Sequence, residues 1–150
     1  MDVVDEPMIG EPPLWVLVFS RETRHRWVGW LTPGRYKHVR AYGYIPGMAC
    51  WQFVDFHMNG LSLAVVREGE AARAVLAEWM TNADLMRIRR VGAMRRPPLI
   101  FTCVAAMRHL IGLPGGTLRP DALWRDCLRN GGEPFEAEHA KAPAVPATAP

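Results

Sequence analysis

Apolar residues run without a break over residues 14–19 (Leu-Trp-Val-Leu-Val-Phe), a short β-rich stretch that predicts a strand buried on both faces. Residues 36–44 alternate instead. Tyr36, His38, Arg40, Tyr42 and Tyr44 are expected on one face, Lys37, Val39 and Ala41 on the other. A turn at Pro46-Gly47 leads to a third strand over residues 49–57, with Trp51, Phe53, Asp55 and His57 on one side and Cys50, Gln52, Val54 and Phe56 on the other. Asn59-Gly60 signals a hairpin into a fourth strand, residues 61–66. A short apolar segment, Trp27-Val28-Gly29-Trp30, stands before the turn Thr32-Pro33-Gly34. Over residues 68–80 the period becomes helical, carried by Ala72, Val75, Leu76 and Trp79, and Asn82 supplies a stop. Residues 85–91 read as one more strand. Two helices follow: one opens at Thr102 and closes at Gly112, and the other starts on Pro120 and runs through Leu123, Trp124, Cys127 and Leu128 to Asn130-Gly131-Gly132. The order predicts an α+β fold, an antiparallel sheet of about five strands packed against helices.

These elements fill one domain, residues 14–132. Residues 1–13, with three prolines and several acidic groups, read as a flexible N-terminal arm, and residues 133–150, ending in an Ala/Pro run, as a disordered tail. A chain of 150 residues with 49% hydrophobic and 22% charged residues suits a single globular core. A net charge of +3 is too small to argue for nucleic acid. Arg87, Arg89, Arg90, Arg95 and Arg96 nevertheless cluster ahead of the Thr102 helix, as a solvated face or as a clamp for carboxylate or phosphate groups. No signal peptide and no bilayer-length apolar run is visible. Three cysteines, without CxxC or Cys/His ligand spacing, indicate neither a disulfide framework nor a metal site, and no cofactor is expected.

Cys103 is the residue with most chemical promise. It follows Thr102, a good N-cap, and so falls in the first turn of a helix, where unpaired N–H groups and the positive dipole end favour a thiolate. Free cysteines are also common small core residues, and Cys127, on the apolar side of its helix, reads that way. A nucleophilic thiolate needs an imidazole to move a proton and a polar group to orient that imidazole. His38, within a strand, is the candidate base. Asp55, one strand later, is the candidate orienting group, since neighbouring antiparallel strands bring such residues into hydrogen-bond reach. Each has a plainer use, His38 as a satisfied half-buried histidine and Asp55 as a turn former. His25 falls in a charged loop, His57 ends its strand, His109 lies on the cysteine helix pointing away, and His139 is in the tail.

The order Gly34-Arg35-Tyr36-Lys37-His38-Val39, Trp51-Gln52-Phe53-Val54-Asp55, Phe101-Thr102-Cys103-Val104 and Pro120-Asp121-Ala122-Leu123-Trp124 resembles small proteins of tailed phages that are similar to permuted papain-fold hydrolases, the circularly permuted relatives of NlpC-type cell-wall endopeptidases. In ordinary papain-like enzymes the cysteine helix comes first; in permuted ones the histidine strand precedes it. The resemblance spans residues 14–130 and implies Cys103 as nucleophile, His38 as base and Asp55 as orienting group. It also implies a peptide or amide substrate, or other phage structural proteins as partners, and a place in the host cytoplasm or the virion. Three functions stay open: a thiol amidase or peptidase, a non-catalytic structural or accessory protein of a phage particle, and an arginine-based nucleic-acid binder. The oligomeric state is not fixed by the sequence.

Overall fold

A computed structural model describes residues 10–22, 34–57, 59–92 and 102–136. The strands are β1 (Trp15–Ser20), β2 (His38–Ile45), β3 (Cys50–His57), β4 (Gly60–Arg67), β5 (Ala83–Ile88) and β6 (Glu133–Phe135). The helices are α1 (Glu70–Met80), α2 (Cys103–Leu110) and α3 (Pro120–Arg129). The strands form one antiparallel sheet in the order β4-β3-β2-β1-β5-β6. The fold is α+β, with six strands where about five were expected. The addition is β6, which pairs Glu133 with Arg87 and Phe135 with Leu85. Order therefore continues past residue 132, where the sequence places the start of the tail. Three residues including a proline carry too little periodicity to announce a strand, and the pairing to β5 decides the matter.

The sheet has a core on each face. On one side Trp15, Leu17, Phe19, Val39, Ala41, Val54, Met86 and Ile88 meet Val104, Met107 and Ile111 of the α2 segment and Leu123 and Cys127 of α3. On the other, Val16, Val18, Tyr42, Phe53 and Leu85 meet Val75, Leu76 and Trp79 of α1. β1 is the central strand that both layers cover, which is why its sequence is continuously apolar rather than alternating. Tyr36 departs from the face expected of it. It precedes the first residue of β2 and turns into the α3 side, packing on Phe19 and Trp124.

The arm is fastened at its inner end. Glu11 pairs with Arg90, and Pro12 lies so close to Gly43 that a Cβ there would come within 2.4 Å of it. Gly112, which ends the α2 segment at φ +67°, sits against the Gly92 backbone, where a Cβ would meet the carbonyl oxygen at 2.0 Å. Both requirements together leave glycine as the residue that fits. The arginines of the expected clamp are partly consumed by the fold: Arg87 pairs with Glu133, and Arg90 with Glu11 and the Gly92 carbonyl. Arg95, Arg96, residues 97–101, the Trp27–Trp30 segment, His25 and His139 lie outside the described residues.

β4 is an edge strand, and Leu61, Leu63 and Val65 remain more than half exposed on it. Substituting Leu63 by threonine, which keeps β propensity, is expected to change stability by no more than about 0.5 kcal/mol. Urea unfolding of the two proteins checks this.

Candidate functional site

α2 begins where the N-cap places it. Thr102 is extended (φ −124°, ψ 166°), and its hydroxyl accepts from the Ala105 N–H at 3.1 Å. That arrangement is an N-cap hydrogen bond to the third helical residue, and it fixes Cys103 as the first residue of the helix. Apolar packing of Val104 and Met107 into the core sets the rotation of the helix.

His38 is held from the other side. The chain leading to it is tied to the first turn of α3, whose Asp121 carboxylate accepts from the Arg35 and Tyr36 N–H groups at 3.0 and 3.4 Å. The Tyr36 hydroxyl donates to Asp84 on β5 at 2.7 Å, and the Lys37 N–H donates to the Ser20 carbonyl at 2.8 Å. His38 is thus the first β2 residue of a strand anchored before it starts.

Strand alternation puts His38 and Asp55 out of phase with Val39 and Val54, which belong to the α2 side of the sheet. Alternation alone would therefore separate the pair from Cys103. A fork in the sheet resolves this. The β2–β3 ladder runs from Ile45↔Cys50 to Ala41↔Val54 and stops, although β2 begins at His38 and β3 continues to His57. β1 still pairs with β2 as far as His38, and β4 with β3 as far as His57, so each arm of the fork is held by its outer neighbour. α2 packs on β2 and β3 at this end, and the backbone amides of Val39, beyond the end of the ladder, and of Val104 act on Cys103 to favour its thiolate.

Three predicted residues meet at this fork. His38 Nε2 lies 2.7 Å from Asp55 Oδ1. Cys103 and the same ring act on one another, each favouring the other's charged form, and Asp55 on Nε2 leaves Nδ1 as the nitrogen to exchange a proton with sulfur. Asp55 is buried, His38 and Cys103 partly so. Burial alone would drive the His38 pKa down, but the Asp55 carboxylate and the Cys103 sulfur outweigh it and raise the ring to about 9. Burial likewise pushes the Cys103 thiol up. The hydrogen bond and positive charge of His38, with the Val39 and Val104 amides, prevail and bring it below its ordinary value. Each shift requires the partner's charge, so the Cys103 thiolate and the His38 imidazolium favour one another.

The other two cysteines differ. Cys127 is fully buried, and loss of solvation pushes its thiol up to about 12. Cys50 is buried with its Sγ donating to the Met48 carbonyl at 3.2 Å.

A fourth side chain belongs to the cluster. His57 Nε2 lies 3.2 Å from Asp55 Oδ2, and its ring is stacked on that of His38 at 5.9 Å with 9° between planes. Position at the end of a strand argued against His57, but the Asp55-x-His57 spacing, which puts both on one face, was the usable signal. His38, Asp55 and His57 bring one donor atom each within 4.8 Å of one another. Two imidazoles and a carboxylate are a donor set that zinc or iron accepts. The expectation of no metal spacing overlooked it because the set is shared between two strands. Here both imidazoles turn a nitrogen to Asp55, His38 through a hydrogen bond to Oδ1 and His57 at 3.2 Å from Oδ2.

No family model matches the chain, nor does any curated protein or solved structure. Among the described residues no helix is long and apolar enough to cross a membrane.

Proposed function

We propose that the protein is a cysteine-dependent amidase or peptidase, with Cys103 as nucleophile, His38 as general acid and base and Asp55 as the group that orients His38. The observation that carries this reading is the meeting of these three side chains, 17 and 48 residues apart in sequence, at one fork of the sheet. The order of histidine strand before cysteine helix supports a permuted papain-like architecture, and with it a phage-related setting.

The chemistry proceeds in two halves. The Cys103 thiolate attacks the amide carbonyl, and the oxyanion that forms lies against the Cys103 N–H, which opens the helix and has no carbonyl within it to bind. The C–N bond breaks as His38 Nδ1 gives its proton to the leaving amine, leaving a thioester and a neutral ring. Neutral His38 then takes a proton from water, the hydroxide adds to the thioester, and the C–S bond breaks to restore thiolate and imidazolium. Asp55 on Nε2 keeps the ring in the one orientation that serves both halves.

Brief iodoacetamide treatment at neutral pH tests the reading. Cys103 is expected to be modified well before Cys50 and Cys127, as resolved by peptide mass spectrometry. Slow modification of all three at similar rates would remove the nucleophile and leave a non-catalytic particle protein as the better account.

A further inference from the structure

The triad uses one oxygen of Asp55, and the other is where the site has an additional component. His57 Nε2 approaches Oδ2 at 3.2 Å, and Arg40 Nη1 stands farther from that oxygen, at 4.0 Å. Arg40 is committed elsewhere: its guanidinium lies over the Trp79 ring at 4.4 Å and donates to the Trp79 carbonyl at 3.3 Å. The last torsion of an aspartate is soft, so a carboxylate held by one oxygen turns easily about it. Gripping both oxygens, one by each imidazole, fixes the plane in which Oδ1 meets His38.

We propose that His57 is a positioning residue, holding Asp55 by its second oxygen so that the first stays aligned on the His38 ring. The inference rests on the thiol-hydrolase reading above. The charged and titratable groups around the pair are Asp55 on the same strand, His38 and Arg40 on β2, and Cys103 at the head of α2. The His57 side chain is 53% exposed, so little packing is lost on its removal, and its contacts with the site are those to Asp55 and to the His38 ring. The near-parallel stacking on His38 restrains the ring from its other side.

The experiment measures the iodoacetamide reaction rate of Cys103 from pH 5 to pH 10 in a chelator-containing buffer. It uses the full chain, wild type, His57→Ala and His57→Gln, with thermal melts to confirm that all three are folded. Wild type is expected to show two steps, one where the thiolate–imidazolium pair forms and one near 9 where His38 loses its proton. His57→Ala is expected to slow the reaction at neutral pH roughly 3- to 10-fold and to move the two steps toward each other by about half a pH unit each. His57→Gln, whose amide donates to the same oxygen, is expected to recover most of both. Superimposable profiles for wild type and His57→Ala overturn the role of His57 alone. So do steps that move apart, since His57 would then be competing with His38 for the carboxylate. A wild-type profile with a single step at the value of an ordinary thiol overturns the triad and the role of His57 with it.

Discussion

Replacing His38 by alanine is expected to lower the reactivity of Cys103 toward iodoacetamide at pH 7 by at least about tenfold, and any amide hydrolysis by roughly 10²- to 10⁴-fold. An isolated thiol near its ordinary value of about 8.5 is only about 3% ionised at that pH. Cys103 is partly buried, and burial acts to raise it, so without the imidazolium the thiolate becomes scarcer still. Part of the loss is recovered because a more basic thiolate is intrinsically more nucleophilic, which is why alkylation falls less than the change in ionisation alone would give. Hydrolysis has no such recovery, since the leaving amine loses its proton donor as well. The pH dependence has a definite sign. His38 is raised to about 9, so the ring stays protonated through neutral pH, and acid catalysis fades as pH climbs through that value. Cys103 is lowered, so the nucleophile is lost on the acid side. The result is a bell whose alkaline limb belongs to histidine rather than to the thiol, and rate–pH profiles of wild type check it.

Arg108 carries the largest expected effect on stability. It sits on the α2 helix with 4% exposure, donating to the Pro114 carbonyl at 2.8 Å, to the Thr117 hydroxyl and to Asp126 of α3. One guanidinium thus joins the cysteine helix, the loop after it and the next helix. Arg108→Ala removes the packing of the side chain, leaves the Pro114 carbonyl without this donor and leaves Asp126 with Arg129 as its remaining ion-pair partner. Removing one member of a fully buried pair costs about 3–5 kcal/mol, and partial exposure of Asp126 brings the expectation to about 2–3 kcal/mol. For a chain of this size that corresponds to a fall in Tm of roughly 5–10 °C. Arg108→Met loses the same polar partners but keeps the packing volume, and is expected to lose about half as much. Calorimetry of the three proteins gives the comparison.

The helices and five of the six strands were legible because each carries its own period or its own stop. The N-cap Thr102 alone set the start of α2, and Pro120 that of α3. Asn-Gly set the β3–β4 hairpin. His38 and Asp55 could be paired from alternation and strand adjacency. The fork could not be foreseen, because a periodicity of two says which face a residue occupies and nothing about where a ladder ends. His57 was passed over for its place at the end of a strand, although the register that selects Asp55 selects it too. Arg108 offered no signal, since one arginine among apolar helix positions is usually a solvent-facing residue, and only the loop closing over it shows otherwise. β6 depends wholly on a partner remote in the chain.

The ladder's early end between β2 and β3 carries one more consequence. If pairing extended by two rungs, to Val39 and Phe56, the Val39 amide would find a carbonyl partner and desert the sulfur. Substitutions that zip the strands together would thereby quench the thiolate while leaving every residue of the triad in the chain. On the proposed reading, the point at which the sheet stops becomes one of the settings of Cys103 reactivity.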